Sequence, residues 1–321
     1  TNNSINNLRK ANGNGASNET ASVCGIGLAG AGFLKTVIGN TIYNLSNSYP
    51  SFTGYVIGLY FAGSTGGNTV SENFIHSLSA ANGSSAGNLC GIRIVSGTTT
   101  YSNNIISLGG NTAIRIFGIY ETGPAGNNDN FYFNTIDIGG NPAAGTNRSY
   151  ALYSSSNANT RDYRNNLFIN TRSTPAGKNL HYAFNISVAG GAITCDYNDY
   201  YISGAGGILA CYGLNKTALP IVTGQDVNSF IINPAFISAG SVVATDYKIG
   251  ADLIGVAGTG ITTDFGSTIR GNPTMGAWER PVNKWIGTTS NDWNTASNWT
   301  ANSLPLTNTN IIFDYAAVNH L

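Results

Sequence analysis

A short phrase recurs along this chain at a nearly constant interval. It reads Asn, any residue, then an apolar residue, and it begins at Asn3, Asn40, Asn73, Asn103, Asn134, Asn165 and Asn198, in steps of 30 to 37 residues. A second phrase runs between the copies, a small residue followed by an aliphatic or aromatic one. Its copies are Gly25-Ile26, Gly58-Leu59, Gly91-Ile92, Gly118-Ile119, Ala151-Leu152 and Ala183-Phe184. Two independent markers that keep one period define a repeat architecture, in which each unit packs on its neighbours. No unit has a helical 3.6-residue period. Each holds two or three short segments of Ile, Val, Thr, Tyr and Phe bounded by Gly, Asn and Ser, which reads as strands and turns. Strands one period apart then stack in register, about 4.8 Å apart. The expected fold is all-β, a parallel solenoid of about seven to nine coils.

The fourth copy, Tyr101-Ser102-Asn103-Asn104-Ile105-Ile106-Ser107-Leu108, shows what the repeat implies locally. Asn103 is expected to hold a turn and to bond its equivalents in the coils above and below. Ile105 and Leu108 are expected to fill the interior. The third place after the Asn, read as Ile106, His76 and Tyr43, is expected to face outward. A ligand surface on this strand would lie there.

The cysteines test the register. Cys24 and Cys90 each precede a marker glycine, and Ile57 fills that place in the coil between. They should lie two coils apart, near 10 Å, beyond the roughly 7 Å that a disulfide spans. They are expected to be free, inward-facing members of a stack. Cys195 and Cys211 flank one loop, and the sequence leaves open whether they pair.

Charged residues make up 9% of the chain and the net charge is zero, against roughly 25% charged in an average soluble domain. That balance gives no basic face for nucleic acid. A hydrophobic fraction of 41% argues against disorder, and no apolar run approaches the length of a membrane helix. The chain begins at Thr1 and is expected to be a mature or trimmed segment. Its Asn, Gly, Ser and Thr richness suits an extracellular, secreted setting.

From residue 195 the text changes. It runs Cys195-Asp-Tyr-Asn198-Asp-Tyr-Tyr201, Gly224-Gln-Asp226, Asn233-Pro-Ala-Phe236, Asp264-Phe265, Arg270 and Gly276-Ala-Trp278-Glu279. This order resembles the last coils and C-terminal cap of right-handed parallel β-helix proteins secreted by Bacteroidota. The match departs at Asp264–Arg270, where the second Gly usual before the Arg is replaced. The resemblance is strong over about 195–280 and rests on the repeat over 1–194. It implies export by the type IX pathway and an adhesin-like surface role. The expected organisation is β-helix coils over 1–230, a last coil and cap over 231–280, and the incomplete start of a second β-module over 281–321. In that last part Trp285, Trp293 and Trp299 are expected to form either the core of a small sandwich or an aromatic platform for sugar.

β-Helices often carry polysaccharide lyases and hydrolases. Hydrolysis draws on paired carboxylates at an open cleft, and lyase chemistry on acids around calcium beside a basic residue. Asp129, Asp137, Asp162, Asp196 and Asp199 are sparse and scattered over the coils. Asp196, Asn198 and Asp199 come closest to a calcium-like group, but Asx side chains more often cap their own turns. Arg161-Asp162-Tyr163-Arg164 reads as a solvated strand face with local ion pairs. Arg93 and Arg115 fall in strands of neighbouring units and could form a shallow basic strip. His76, His181 and His320 are scattered and read as polar strand positions. No catalytic, cofactor or metal residue is therefore assigned. The expected role is a non-enzymatic stalk or display module. Its candidate partners are a polysaccharide or surface glycan, met through exposed Tyr on one sheet face, the secretion machinery, and neighbouring modules of the same polypeptide. The competing expectations are a β-helix lyase or hydrolase, and a cargo or filament subunit held by partner proteins.

Overall fold

A computed structural model of the chain describes residues 1–30, 32–81, 87–143, 145–175, 181–280, 284–299, 304–305, 311–313 and 317–319. His320 lies outside them. The repeat builds a parallel β-solenoid with three sheets running along the rod. The first, the ladder sheet, stacks Ser4–Asn6, Thr41–Asn47, Phe74–Ala80, Ile105–Leu108, Thr135–Ile138, Leu167–Asn170 and Asp199–Ile202. The second, the marker sheet, stacks Val23–Leu28, Tyr55–Ala62, Asn88–Ser96, Arg115–Glu121, Ser149–Ser154, His181–Ile186 and Gly207–Tyr212, and Leu214–Lys216 pairs antiparallel at its end. A third sheet of six shorter strands runs from Thr36–Ile38 to Ile193–Asp196. Six complete coils follow a partial first one, slightly fewer than expected. Among the described residues, helix is confined to short 3₁₀ turns, and no helix is long and apolar enough to cross a membrane.

An asparagine ladder runs inside the turns at one corner. The side-chain amide and backbone N–H of each Asn both donate to the Oδ1 of the next, through Asn3, Asn40, Asn73, Asn104, Asn134, Asn166 and Asn198, at 2.8–3.1 Å. The ladder satisfies donors that the bend would otherwise strand without partners. In two coils the sequence reading is off by one. Asn104 and Asn166 carry the ladder, not Asn103 and Asn165. Those two precede the ladder residue in the left-handed region, at φ 53° and 65°, where Asn is tolerated. A slip of one residue exchanges the faces of a strand. Ile106, expected outside, therefore packs in the main core with Leu108. Ile105, expected inside, faces out beneath a later segment. The true outward column is Tyr43, His76, Ser107 and Asp137.

The two sequence markers meet across the rod. A Cβ added to Gly91 would lie 2.6 Å from Ile106 Cγ2 and 2.6 Å from the Gly118 carbonyl oxygen. Gly58 meets Ile75, and Gly118 meets Ile136, in the same way. The marker strand bends here, and both the glycine and the next residue point inward. Only a small residue fits against the Ile of the ladder strand.

The cysteine register is as expected, Cys24 opposite Ile57 and Ile57 opposite Cys90, and all four cysteines are free. Their facing is not. Cys90 packs with Ile57 and Phe117 in a separate cluster on the outer face of the marker sheet, because the glycine that follows takes the inward place. Cys195 lies in the interior core and Cys211 on that outer face, which keeps them apart.

Residues 214–229 cover the end of the last coil, with Ile221 buried against the core. Residues 231–280, expected as last coil and cap, then run back as a strap over the outer face of the ladder sheet. Ile249, Leu253 and Met275 cover Leu167 and Ile169, while Tyr247 and Ala277 cover Phe74 and Ile105. In the last segment Trp285 and Trp299 are buried, with ring centroids 5.1 Å apart. Tryptophan packing, not a free platform, is what these two rings provide.

Candidate functional site

The outer face of the marker sheet carries a cluster of aromatic side chains, in which Tyr60, Phe117, Tyr150 and Tyr182 are buried and Tyr55, Tyr120 and Tyr153 are half-buried. It arises from strand alternation. In Tyr55–Ala62, Val56, Leu59 and Phe61 join the core while Ile57 and Tyr60 face out. Two outward columns result. One carries Cys90, Phe117, Tyr150 and Tyr182, and the other Tyr60, Arg93, Tyr120 and Tyr153.

The rings stack along the rod at coil spacing. Phe117 lies 5.2 Å from Tyr150 at 9°, and Tyr150 lies 5.3 Å from Tyr182 at 15°. Phe117 stacks sideways on Tyr120 at 4.5 Å, and Tyr153 meets Tyr120 edge-on at 5.1 Å. The Arg93 guanidinium sits 3.7 Å over the Tyr120 ring and 5.9 Å from that of Tyr55, within range of a cation–π contact. A shallow depression of about 310 Å³ opens between Tyr55, Arg115, Phe117, Arg148, Tyr150 and Tyr153. Burial pushes the Tyr55 hydroxyl up to about 12, against the pull of Arg93 and Arg115. Burial also raises Tyr150, against a hydrogen bond from Arg148. These hydroxyls stay protonated at neutral pH and remain hydrogen-bond donors.

A second concavity, about 560 Å³, lies between the ladder sheet and the strap, lined by His76, Ser107, Asp137 and the backbone of Gly240 and Ser241. Asp137 Oδ2 accepts the Gly240 N–H at 2.8 Å, Oδ1 is buried without a partner, and burial lifts the carboxyl to about 6. His76 lies between Tyr43 and Phe74 at 5.1 and 4.4 Å, and burial lowers it to about 4, so it is neutral. Asp137 is the one carboxylate among the described residues lining this space.

The remaining singled-out residues do not gather. Asp196 accepts from the Asn228 backbone and side chain at 2.7 and 2.9 Å, and Asp199 accepts the Ile232 N–H at 2.9 Å. Asn198 belongs to the ladder. No group of three or more His, Cys, Asp or Glu that could hold a metal occurs among the described residues. Asp162 pairs with Arg164 at 2.6 Å on the outside of the third sheet, as expected for a solvated face. Arg161 departs from that expectation. It is fully buried inside the rod with Glu121 at 3.9 Å, while its Nη1 donates to Ser154 Oγ and its Nη2 to the Gly190 carbonyl. Asp129 is buried in the same interior, held by the Thr99 N–H at 3.0 Å. His181 is buried between Ser149 and Thr174 hydroxyls, and burial lowers it to about 4.

Arg93 and Arg115 do lie on one face, as the sequence reading allowed. Arg148 was missed, although it stands one place before Ser149, the residue paired with Ile116. The individual tyrosines were missed too, although a signal existed. The second residue after each marker glycine or alanine is Tyr60, Arg93, Tyr120 or Tyr153 in four consecutive coils.

Compared with family models, curated proteins and solved structures, the chain matches none.

Proposed function

We propose that this chain is a non-enzymatic display rod of a secreted surface protein, and that it binds carbohydrate on the outer face of its marker sheet. The observation that carries the reading is the shallow depression of about 310 Å³ on this face, rimmed by the half-buried Tyr55, Tyr120 and Tyr153 and by Arg115 and Arg148. The exposed parts of these tyrosine rings give a sugar apolar contact, and the tyrosine hydroxyls and guanidiniums supply polar contacts that fix orientation. The solenoid holds the rings at a fixed spacing before any ligand arrives, which lowers the entropy cost of binding.

The resemblance of the 195–280 phrases to secreted β-helix proteins of Bacteroidota supports a cell-surface setting, and type IX export belongs to the same proposal. A two-carboxylate hydrolase would require a second acid in an open cleft. Asp137 stands alone in its groove among the described residues, which favours binding over cleavage.

The test is a glycan array with the whole chain, run beside a reducing-end assay on the glycans that bind. The expected result is binding without product, lost in the Tyr120→Ala/Tyr153→Ala variant. Absence of binding across the array, or binding unaffected by that variant, overturns the site. Release of reducing ends overturns the non-enzymatic role.

A further inference from the structure

The marker-sheet face is not only aromatic; its charge is one-sided. Arg115 lies opposite Asn88, and Arg148 immediately precedes the residue opposite Ile116. The two therefore occupy one column on adjacent coils, about 4.8 Å apart along the rod. Like charges at directly opposed sheet positions repel. Neither arginine has an ion-pair partner among the described residues. Arg93, on the coil before, has none either, and its Nε and Nη1 are buried without any hydrogen-bond acceptor. Arg93 and Arg115 both act on the Tyr55 hydroxyl, and Arg148 holds that of Tyr150, so the three guanidiniums converge on one patch.

The acids are elsewhere. Glu121 and Asp129 are inside the rod, Asp162 and Asp196 on the third sheet, and Asp137 and Asp199 on the ladder sheet. Glu19, beside Tyr60 at the edge of the first coils, is the carboxylate that the described residues bring to this face. A chain with zero net charge thus presents a local excess of positive charge on its aromatic surface.

We infer that the glycan taken by this face is acidic, with carboxylate or sulfate groups held by Arg115 and Arg148 while its rings lie against the half-buried Tyr120 and Tyr153. This rests on the carbohydrate reading above. An anion between Arg115 and Arg148 relieves their mutual repulsion, and the planar guanidinium pairs with carboxylate or sulfate oxygens through two parallel hydrogen bonds. Neutral sugars offer the rings the same apolar contact but leave both guanidiniums without a counter-charge.

The experiment measures affinity of the whole chain for four polymers: polygalacturonate and its carboxyl-reduced form, and carrageenan and its desulfated form. At least one acidic polymer should bind roughly tenfold or more tighter than its neutral counterpart, the loss expected for one charged hydrogen-bonded contact. The preference should shrink as salt rises. Which acidic polymer wins separates a carboxylate site from a sulfate site. Arg115→Gln/Arg148→Gln should weaken acidic binding roughly tenfold more than it weakens neutral binding. Tyr120→Ala/Tyr153→Ala should weaken both. Both arginines are at least partly exposed, and an unchanged melting temperature verifies that the fold is kept. Equal affinity for acidic and neutral polymers, or a silent arginine variant, overturns the acidic preference and leaves the glycan site standing. No binding to any of the four overturns both.

Discussion

Arg270 in the strap donates from Nη2 to Asn103 Oδ1 at 2.9 Å, joining positions 167 residues apart in sequence. Its guanidinium lies 3.8 Å over the Phe133 ring and pairs with Glu279 at 2.8 Å, and it also bonds the carbonyls of Thr274, Gly276 and Ala277. Asn103, freed from the ladder by its one-residue offset, is what the strap grips. Asn165 plays the same part further along, bonding Val256 through both its donor and its acceptor at 2.8–2.9 Å.

Arg270→Met should therefore destabilise the chain by about 3 kcal/mol, because Glu279 is left buried without its partner. Urea denaturation measures this, and hydrogen exchange should show the loss concentrated in residues 231–280. A drop below about 0.5 kcal/mol would mean that the Arg270 contacts add little to holding the strap.

The ladder predicts a gradient from end to middle. Asn134 donates to Tyr101 O and Asn166 Oδ1 and accepts twice from Asn104, all at 2.9–3.1 Å. Asn134→Ala should cost about 3 kcal/mol, since buried backbone groups lose their partners. Asn3→Ala, at the exposed end, should cost less than about 1 kcal/mol. Equal costs in chemical denaturation would count against the ladder as a source of stability.

Gly91→Ala places a methyl group 2.6 Å from both Ile106 and the Gly118 carbonyl. Overpacking of this kind should cost about 1–3 kcal/mol. Gly66→Ala meets nothing within 4 Å and should change stability by less than about 0.5 kcal/mol. Thermal melts of the two variants side by side test the packing of the two markers.

Stability should respond to pH through two opposing sets of groups. Burial raises Asp137 to about 6 and Asp199 to about 7, so the folded state holds their protons longer than the unfolded chain does. Their contribution falls as pH rises from about 4 to those values. Burial lowers His76 and His181 to about 4. Their contribution falls in the other direction, as pH drops from about 6.5 to 4. Asp137→Asn/Asp199→Asn removes the contribution of these two carboxyls and keeps that of the histidines. That variant should lose stability more steeply than the parent on acidification from pH 6.5 to 4, as read by denaturation midpoints. Parallel curves for the two proteins would refute the assignment.

The solenoid was legible because its period is written twice, once in Asn and once in Gly. Register survived the test of Cys24, Ile57 and Cys90. Facing did not, for two reasons. Asn103-Asn104 and Asn165-Asn166 each offer two candidates for one role, and a bend at Gly91 breaks the strict alternation that facing was read from. The strap left a trace in the sequence: Ile105-Ile106 and Phe168-Ile169 are apolar on both faces, the mark of a sheet covered on both sides. The platform left one too, in Tyr60, Arg93, Tyr120 and Tyr153, but Arg148 falls outside the marker phrase.

The sequence by itself determined the stacking: an interval near 32 residues, small residues set against Ile, and one amide per turn leave a parallel coil as the structure that satisfies all three. Only the tertiary structure decided which sheet stays open. The ladder sheet and the marker sheet both carry apolar residues outward. Residues 231–280 turn back over the ladder sheet, where Asn103, Thr135, Asp137 and Asn165 offer them hydrogen bonds. The marker sheet keeps Tyr120, Tyr153, Arg115 and Arg148 at least partly open to solvent. That choice depends on hydrogen bonds between residues 91 to 160 positions apart, and the local apolar pairs mark a covered sheet without naming the segment that covers it.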